Sequence, residues 1–154
     1  MSDKQKTIKK AVSLSGVGLH TGLEVSLTFL PAPENHGFTF KRKDLDGEPL
    51  IEADANYVTE TQRGTTLTKN GVNIHTVEHV LAAFVGLELD NILIEINAPE
   101  PPILDGSSIQ FVEALLSAGI EEQNALRDYY EIKTNIHYTN EEEGVEIIAM
   151  PSDT

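Results

Sequence analysis

Cysteine is absent from the 154 residues, and so is tryptophan. Without cysteine there is no disulfide framework and no thiolate metal site, so any metal must be held by histidine or carboxylate. Basic residues are scarce: 11 Lys and Arg stand against 25 Asp and Glu, a net charge of −14. That balance excludes nucleic acid as a partner, since phosphate binding needs a basic surface. Long apolar runs are also lacking, and none approaches the ~20 residues of a membrane span. The basic start, MSDKQKTIKK, is not followed by the apolar stretch of a secretory signal. With no cysteine either, the expected location is the cytoplasm.

Hydrophobic residues make up 40% of the chain and charged residues 23%, the balance of an ordinary folded protein. The length suits one domain with its own core. Charge is unevenly placed. Up to Val80 there are 9 basic and 10 acidic residues; from Leu81 onward there are 2 and 15. The acidic half is either a solvated face or a surface for a basic partner, such as a second domain.

The first half reads as strands. Thr7 to Leu14 carries Ile8, Val12 and Leu14, and Leu23 to Leu30 alternates with the period of a half-buried strand. Between them, Ser15 to Gly22 is a glycine-punctuated turn. Phe38 to Arg42 is a further strand, and Asn70-Gly71 marks a hairpin between Thr65–Lys69 and Val72–Ile74. A helix is expected over about 76–85, with Val77, Val80, Leu81, Phe84 and Val85 on one stripe and Gly86 as its stop. After a buried strand at Asn91–Ile96 comes a second helix, from about Ser108 to Ala118. Its stripe is Ile109, Val112 and Leu116, its stop is Gly119, and Ser107 with Gln110 forms a capping-box pattern. Strands beginning at Tyr129 and at Val145 close the chain. The order predicts an α+β fold: a two-layer sandwich, its sheet mostly antiparallel or mixed, with two helices packed on one face.

The sharpest local pattern is His75-Thr76-Val77-Glu78-His79. On a helix, residues at i and i+4 share a face, so His75 and His79 could both reach one metal, with Glu78 beside it as general base. That is the pattern of inverted zinc proteases. The plainer alternative makes His75 the end of a strand or a helix cap, and His79 an ordinary polar residue.

Four separated segments occur in one order: Ser15-Gly16-Val17-Gly18-Leu19-His20-Thr21-Gly22, Thr76-Val77-Glu78-His79-Val80-Leu81-Ala82-Ala83, Asp90-Asn91-Ile92, and Ala98 through Pro101-Pro102-Ile103-Leu104-Asp105-Gly106 to Ser107. In this the chain resembles the UDP-3-O-acyl-N-acetylglucosamine deacetylases, zinc hydrolases of lipid A biosynthesis. The resemblance implies an enzyme of two domains, each a sheet with two helices on one face. It makes His79 a zinc ligand and Glu78 the catalytic base, and leaves His75 a bystander. His20 matches a family histidine near the site, where a structural role is equally open. Asp105 matches a motif aspartate whose carboxylate could instead satisfy backbone N–H groups at its turn.

The resemblance also says what is missing. The family's other zinc ligands lie in a His-Lys-x-x-Asp segment of the second domain, and its catalytic acid is a further histidine there. Neither His36 nor His137 sits in such a segment. Residues 1–126 are therefore expected to form the first domain, and 127–154 a linker and the opening strands of an incomplete second one. Zn2+ would be bound, and the acetyl group of UDP-3-O-acyl-N-acetylglucosamine removed, only once that second domain is supplied, so the chain alone is expected to be inactive. Fusion to a dehydratase further downstream is compatible with this reading. Two other readings are a non-catalytic module that only assembles with a second domain, and an inverted zinc protease fragment with Glu143 or Glu146 as a distant ligand.

Overall fold

The computed structural model describes residues 3–152; Met1–Ser2 and Asp153–Thr154, the outer ends of the two expected segments, lie outside them. The strands are β1 (Lys4–Ile8), β2 (Val12–Val17), β3 (Glu24–Pro31), β4 (Phe38–Arg42), β5 (Leu50–Glu52), β6 (Val58–Glu60), β7 (Thr66–Lys69), β8 (Val72–Ile74), β9 (Ile92–Ile96), β10 (Ile120–Leu126), β11 (Ile136–Asn140) and β12 (Val145–Ala149). The helices are α1 (Glu78–Gly86) and α2 (Ile109–Ala118). The fold is α+β.

The main sheet has the order β2-β3-β9-β4-β5 and is antiparallel except where β4 runs parallel to β9. Alternation decides which way it faces. Val25, Leu27 and Phe29 of β3 and Ile92, Ile94 and Ile96 of β9 are buried, while Glu24 and Ser26 point to the exposed side. Both helices cover the buried face. The Phe29 ring meets Phe84 of α1 edge-on at 5.2 Å and Phe111 of α2 at 6.3 Å, so one side chain touches both helices. Truncating it should loosen the two together. Phe29→Ala is expected to cost about 3–5 kcal/mol, read as a fall in the urea midpoint. A loss well under 1 kcal/mol, on the scale of surface substitutions, would mean the helices do not depend on this ring.

Several local expectations are corrected. The strand expected over Thr7–Leu14 is two strands in different sheets, broken at Lys9-Lys10, where the Lys9 N–H bonds the Gly119 carbonyl. β10 was not expected: its Glu-rich sequence hides a strand whose partner is β1. The strand expected from Tyr129 begins only at Ile136. Gly86 belongs to α1, and the left-handed residue after that helix is Glu88, at φ 54°. Ser107 and Gln110 make no capping box; the Ser107 hydroxyl accepts the Ile109 N–H and Gln110 turns to Asp105.

The helix faces differ too. α2 buries Phe111, Leu115 and Ala118, leaving Ile109 and Leu116 each 54% exposed. The two stripes have the same helical spacing, and the one carrying the large aromatic ring takes the core. On α1, Val85 is 70% exposed although it lies on the expected stripe.

Candidate active site

α1 does not begin where its apolar spacing does. Thr76 stands at φ 54°, left-handed backbone that a β-branched residue rarely adopts, and the first helical residue is Glu78. This overturns the geometry required by the two-histidine pattern. His75 precedes the helix: its N–H bonds the Pro99 carbonyl, and its Nδ1 lies 3.0 Å from the Thr66 hydroxyl. It therefore does not share a helical face with His79. The distant acid that a protease would need is likewise engaged elsewhere, Glu146 lying 2.6 Å from His137 Nε2 on the β11–β12 hairpin and Glu143 bonded to Asn140.

Glu78 and His79 are consecutive in the first turn of α1, so their side chains diverge by about 100°. Glu78 Oε2 accepts the Thr65 N–H at 2.9 Å, which fixes the carboxylate at the positive end of the helix and leaves Oε1 without a donor among the described residues. His79 is half-buried, and among the described residues its ring has no hydrogen-bond partner.

An open cleft of about 310 Å³ is bordered by His20, Thr21, Arg63, Gly64, His75 and Thr76 among others; Glu78 and His79 follow Thr76 in the chain but are not among its lining residues. His20 is exposed, with Nε2 3.2 Å from the Arg63 carbonyl. Its turn folds tightly because Gly18 has no side chain; a Cβ there would stand 2.4 Å from the Thr21 hydroxyl and 2.7 Å from Glu100 Oε2. Asp105 is not among the groups bordering the cleft. It is exposed before α2 and accepts the Ser107 N–H and hydroxyl, each at 2.9 Å, bonds that hold its carboxyl below the usual range. That is the turn-satisfying alternative of the two open to it.

Sequence reasoning missed Glu100. Fully buried, it accepts from the backbone of His20 and Thr21 and from the hydroxyls of Thr21 and Thr76. Burial pushes its carboxyl up, but these donors outweigh burial and hold it below the ordinary glutamate range. The only signal available was a glutamate set in the apolar, proline-rich run Ala98 to Leu104.

The donor set fits a metal only in part. Among the described residues no three His, Asp or Glu side chains converge as metal ligands. His79 offers one imidazole with a free ring, one ligand of the three that a catalytic zinc takes from protein.

Residues 5–154 match the profile of the family described as LpxC: UDP-3-O-acyl N-acetylglycosamine deacetylase. The chain is 53% identical over 150 residues to the bifunctional enzyme LpxC/FabZ of Bacteroides thetaiotaomicron, covering 97% of the chain and 32% of that protein. It is 50% identical over 149 residues to the bifunctional enzyme LpxC/FabZ of Chlorobaculum tepidum, again 97% of the chain and 32% of the relative. To the UDP-3-O-acyl-N-acetylglucosamine deacetylase of Chromohalobacter salexigens it is 46% identical over 148 residues, 96% of the chain and 48% of that protein. The chain thus spans 32% to 48% of the length of these curated relatives.

Proposed function

The chain belongs to the UDP-3-O-acyl N-acetylglycosamine deacetylase family, and from that we propose that it is the first domain of a zinc amidohydrolase acting in lipid A biosynthesis. The substrate is UDP-3-O-acyl-N-acetylglucosamine, and the products are acetate and the free amine. Residues 1–126 form the first domain, and 127–154 the linker and opening strands of the second. The observation that carries the reading is the first turn of α1, where a fixed carboxylate and a free imidazole are neighbours beside the cleft.

His79 would hold zinc together with ligands from the second domain, and the metal would supply Lewis-acid polarisation of the amide. Glu78 takes the proton of the water that attacks the acetyl carbon, its Oε1 being the unengaged atom. The Thr65 N–H keeps that carboxylate from turning away. His20 borders the cleft beside Arg63 and Gly64 and is a substrate-facing group, whereas Asp105 serves the start of α2. The proton for the departing amine comes from outside the chain.

The second domain is supported by the surface the first one leaves uncovered. Val85, Ile109 and Leu116 on the two helices and Leu19 in the His20 turn are each at least half exposed. Three of these apolar groups lie on the helical layer and the fourth beside His20, where a covering domain would bury them. No helix among the described residues is long and apolar enough to cross a membrane, and the cytoplasm is the compartment we assign.

Comparing the 154-residue chain with the polypeptide completed by its second domain tests the proposal. The completed protein is expected to take up one zinc and to release acetate from the UDP-sugar. The chain alone should bind zinc weakly and release none, because a lone imidazole cannot fix a tetrahedral site. A tight, stoichiometric zinc site in the chain alone, or a completed protein that releases no acetate, would overturn it.

A further inference from the structure

Glu100 is a buried carboxylate that no cation faces among the described residues; its compensation is entirely N–H and O–H donors. Oε2 accepts from His20 N at 3.0 Å, Thr21 N at 3.0 Å and the Thr21 hydroxyl at 3.0 Å. Oε1 accepts from the Thr76 hydroxyl at 2.8 Å and shares the His20 N–H at 3.2 Å. An apolar side chain of similar volume would hold two loops together at lower desolvation cost. What a carboxylate adds is direction, because each donor must point at it.

Those donors belong to two different walls of the cleft. One is the turn that presents His20. The other is Thr76, two residues ahead of Glu78 and held in left-handed backbone, a conformation that persists only where its surroundings over-determine it. The third wall rests on both, since His20 Nε2 meets the Arg63 carbonyl and the Thr65 N–H meets Glu78. Backbone and hydrogen bonds therefore close a ring: Glu100 to Thr76, along the chain to Glu78, across to Thr65 and Arg63, over to His20, and back to Glu100. Glu100 joins the His20 turn to Thr76 from outside the cleft, whose lining does not include it.

We propose that Glu100 is a positioning residue, setting the place of His20 against the Glu78–His79 turn. The inference rests on the deacetylase reading above, and its test uses the completed, zinc-loaded enzyme, whose acetate release is measured first. Glu100→Ala should speed amide exchange at His20, Thr21 and the Glu78–His79 turn while the main sheet keeps its protection. Zinc content should stay at one per chain and KM should change little. The turnover number should fall about 10²-fold, the scale expected when reacting groups are displaced by an ångström. Glu100→Gln should recover most of both effects, because its carbonyl can serve His20 and Thr21 while its amide donates to the Thr76 hydroxyl. Ile8→Ala, in the core on β1, supplies a comparably destabilised control that should keep normal turnover. If Glu100→Ala does not fold, Thr76→Val removes one arm of the ring and should still lower turnover with zinc retained. Unchanged turnover in these variants, or exchange that rises across the whole fold as in Ile8→Ala, would overturn the inference. Failure of the deacetylase reading would show differently, as an unaltered enzyme that releases no acetate.

Discussion

His79→Ala in the completed enzyme is expected to abolish both zinc retention and acetate release. His79 is half-buried in the first turn of α1, and no group among the described residues engages its imidazole, so the ring is free to ligate. No neighbouring histidine can replace it. His75 lies ahead of the left-handed Thr76 with its ring against Thr66, and the His20 ring is directed to the Arg63 carbonyl. A site that takes three protein ligands and loses one keeps neither its geometry nor its affinity. Metal analysis after gel filtration reads the result directly. A His79→Ala protein that still carried one zinc per chain would place the metal elsewhere.

Glu78→Ala should separate chemistry from metal binding. Its carboxylate is one residue from His79, but it points about 100° away and is anchored to Thr65 rather than to the imidazole. Zinc is expected to remain, while the turnover number falls by ~10²–10⁴, the range for loss of a general base. His75→Ala serves as the contrast. It removes a hydrogen bond to Thr66 at the cleft rim and should leave zinc content unchanged and turnover close to normal. Equal loss of zinc in His75→Ala and His79→Ala would restore the two-histidine pattern that the backbone at Thr76 argues against. Full turnover in Glu78→Ala would remove the glutamate from the mechanism without touching the family assignment.

Elements with a strong single period were legible in the sequence. β4 and β8 fall where alternation and the Asn70-Gly71 turn put them, and α2 ends at Gly119, whose φ is 74°. What stayed hidden depends on partners far along the chain. β10 is too polar to announce itself and becomes a strand only because β1 lies beside it. The buried stripe of α2 could not be told from its apolar neighbour, since the choice is made by the fit of Phe111 against Phe29. At the candidate site, the pair Glu78-His79 was readable as a motif. The conformation of Thr76 was not, because it is set by its own bond to Glu100 and by the bonds of its neighbours His75 to Pro99 and Val77 to Thr65, all on other segments.

The pairing of β1 with β10 has a consequence for how the domain is made. Ile8 faces Ile120 in the register, 112 residues later in the chain (120 less 8). Translation at about 5–20 residues per second delivers that partner roughly 6–22 seconds after the first strand emerges. Through that interval the segment 4–8 has no mate, and an unpaired strand invites pairing with another nascent chain. Lys4, Lys6, Lys9 and Lys10 place positive charge along and just beyond it, which opposes such edge-to-edge association. Within this domain β1 is thus made long before it is secured, and it waits under the protection of its own lysines.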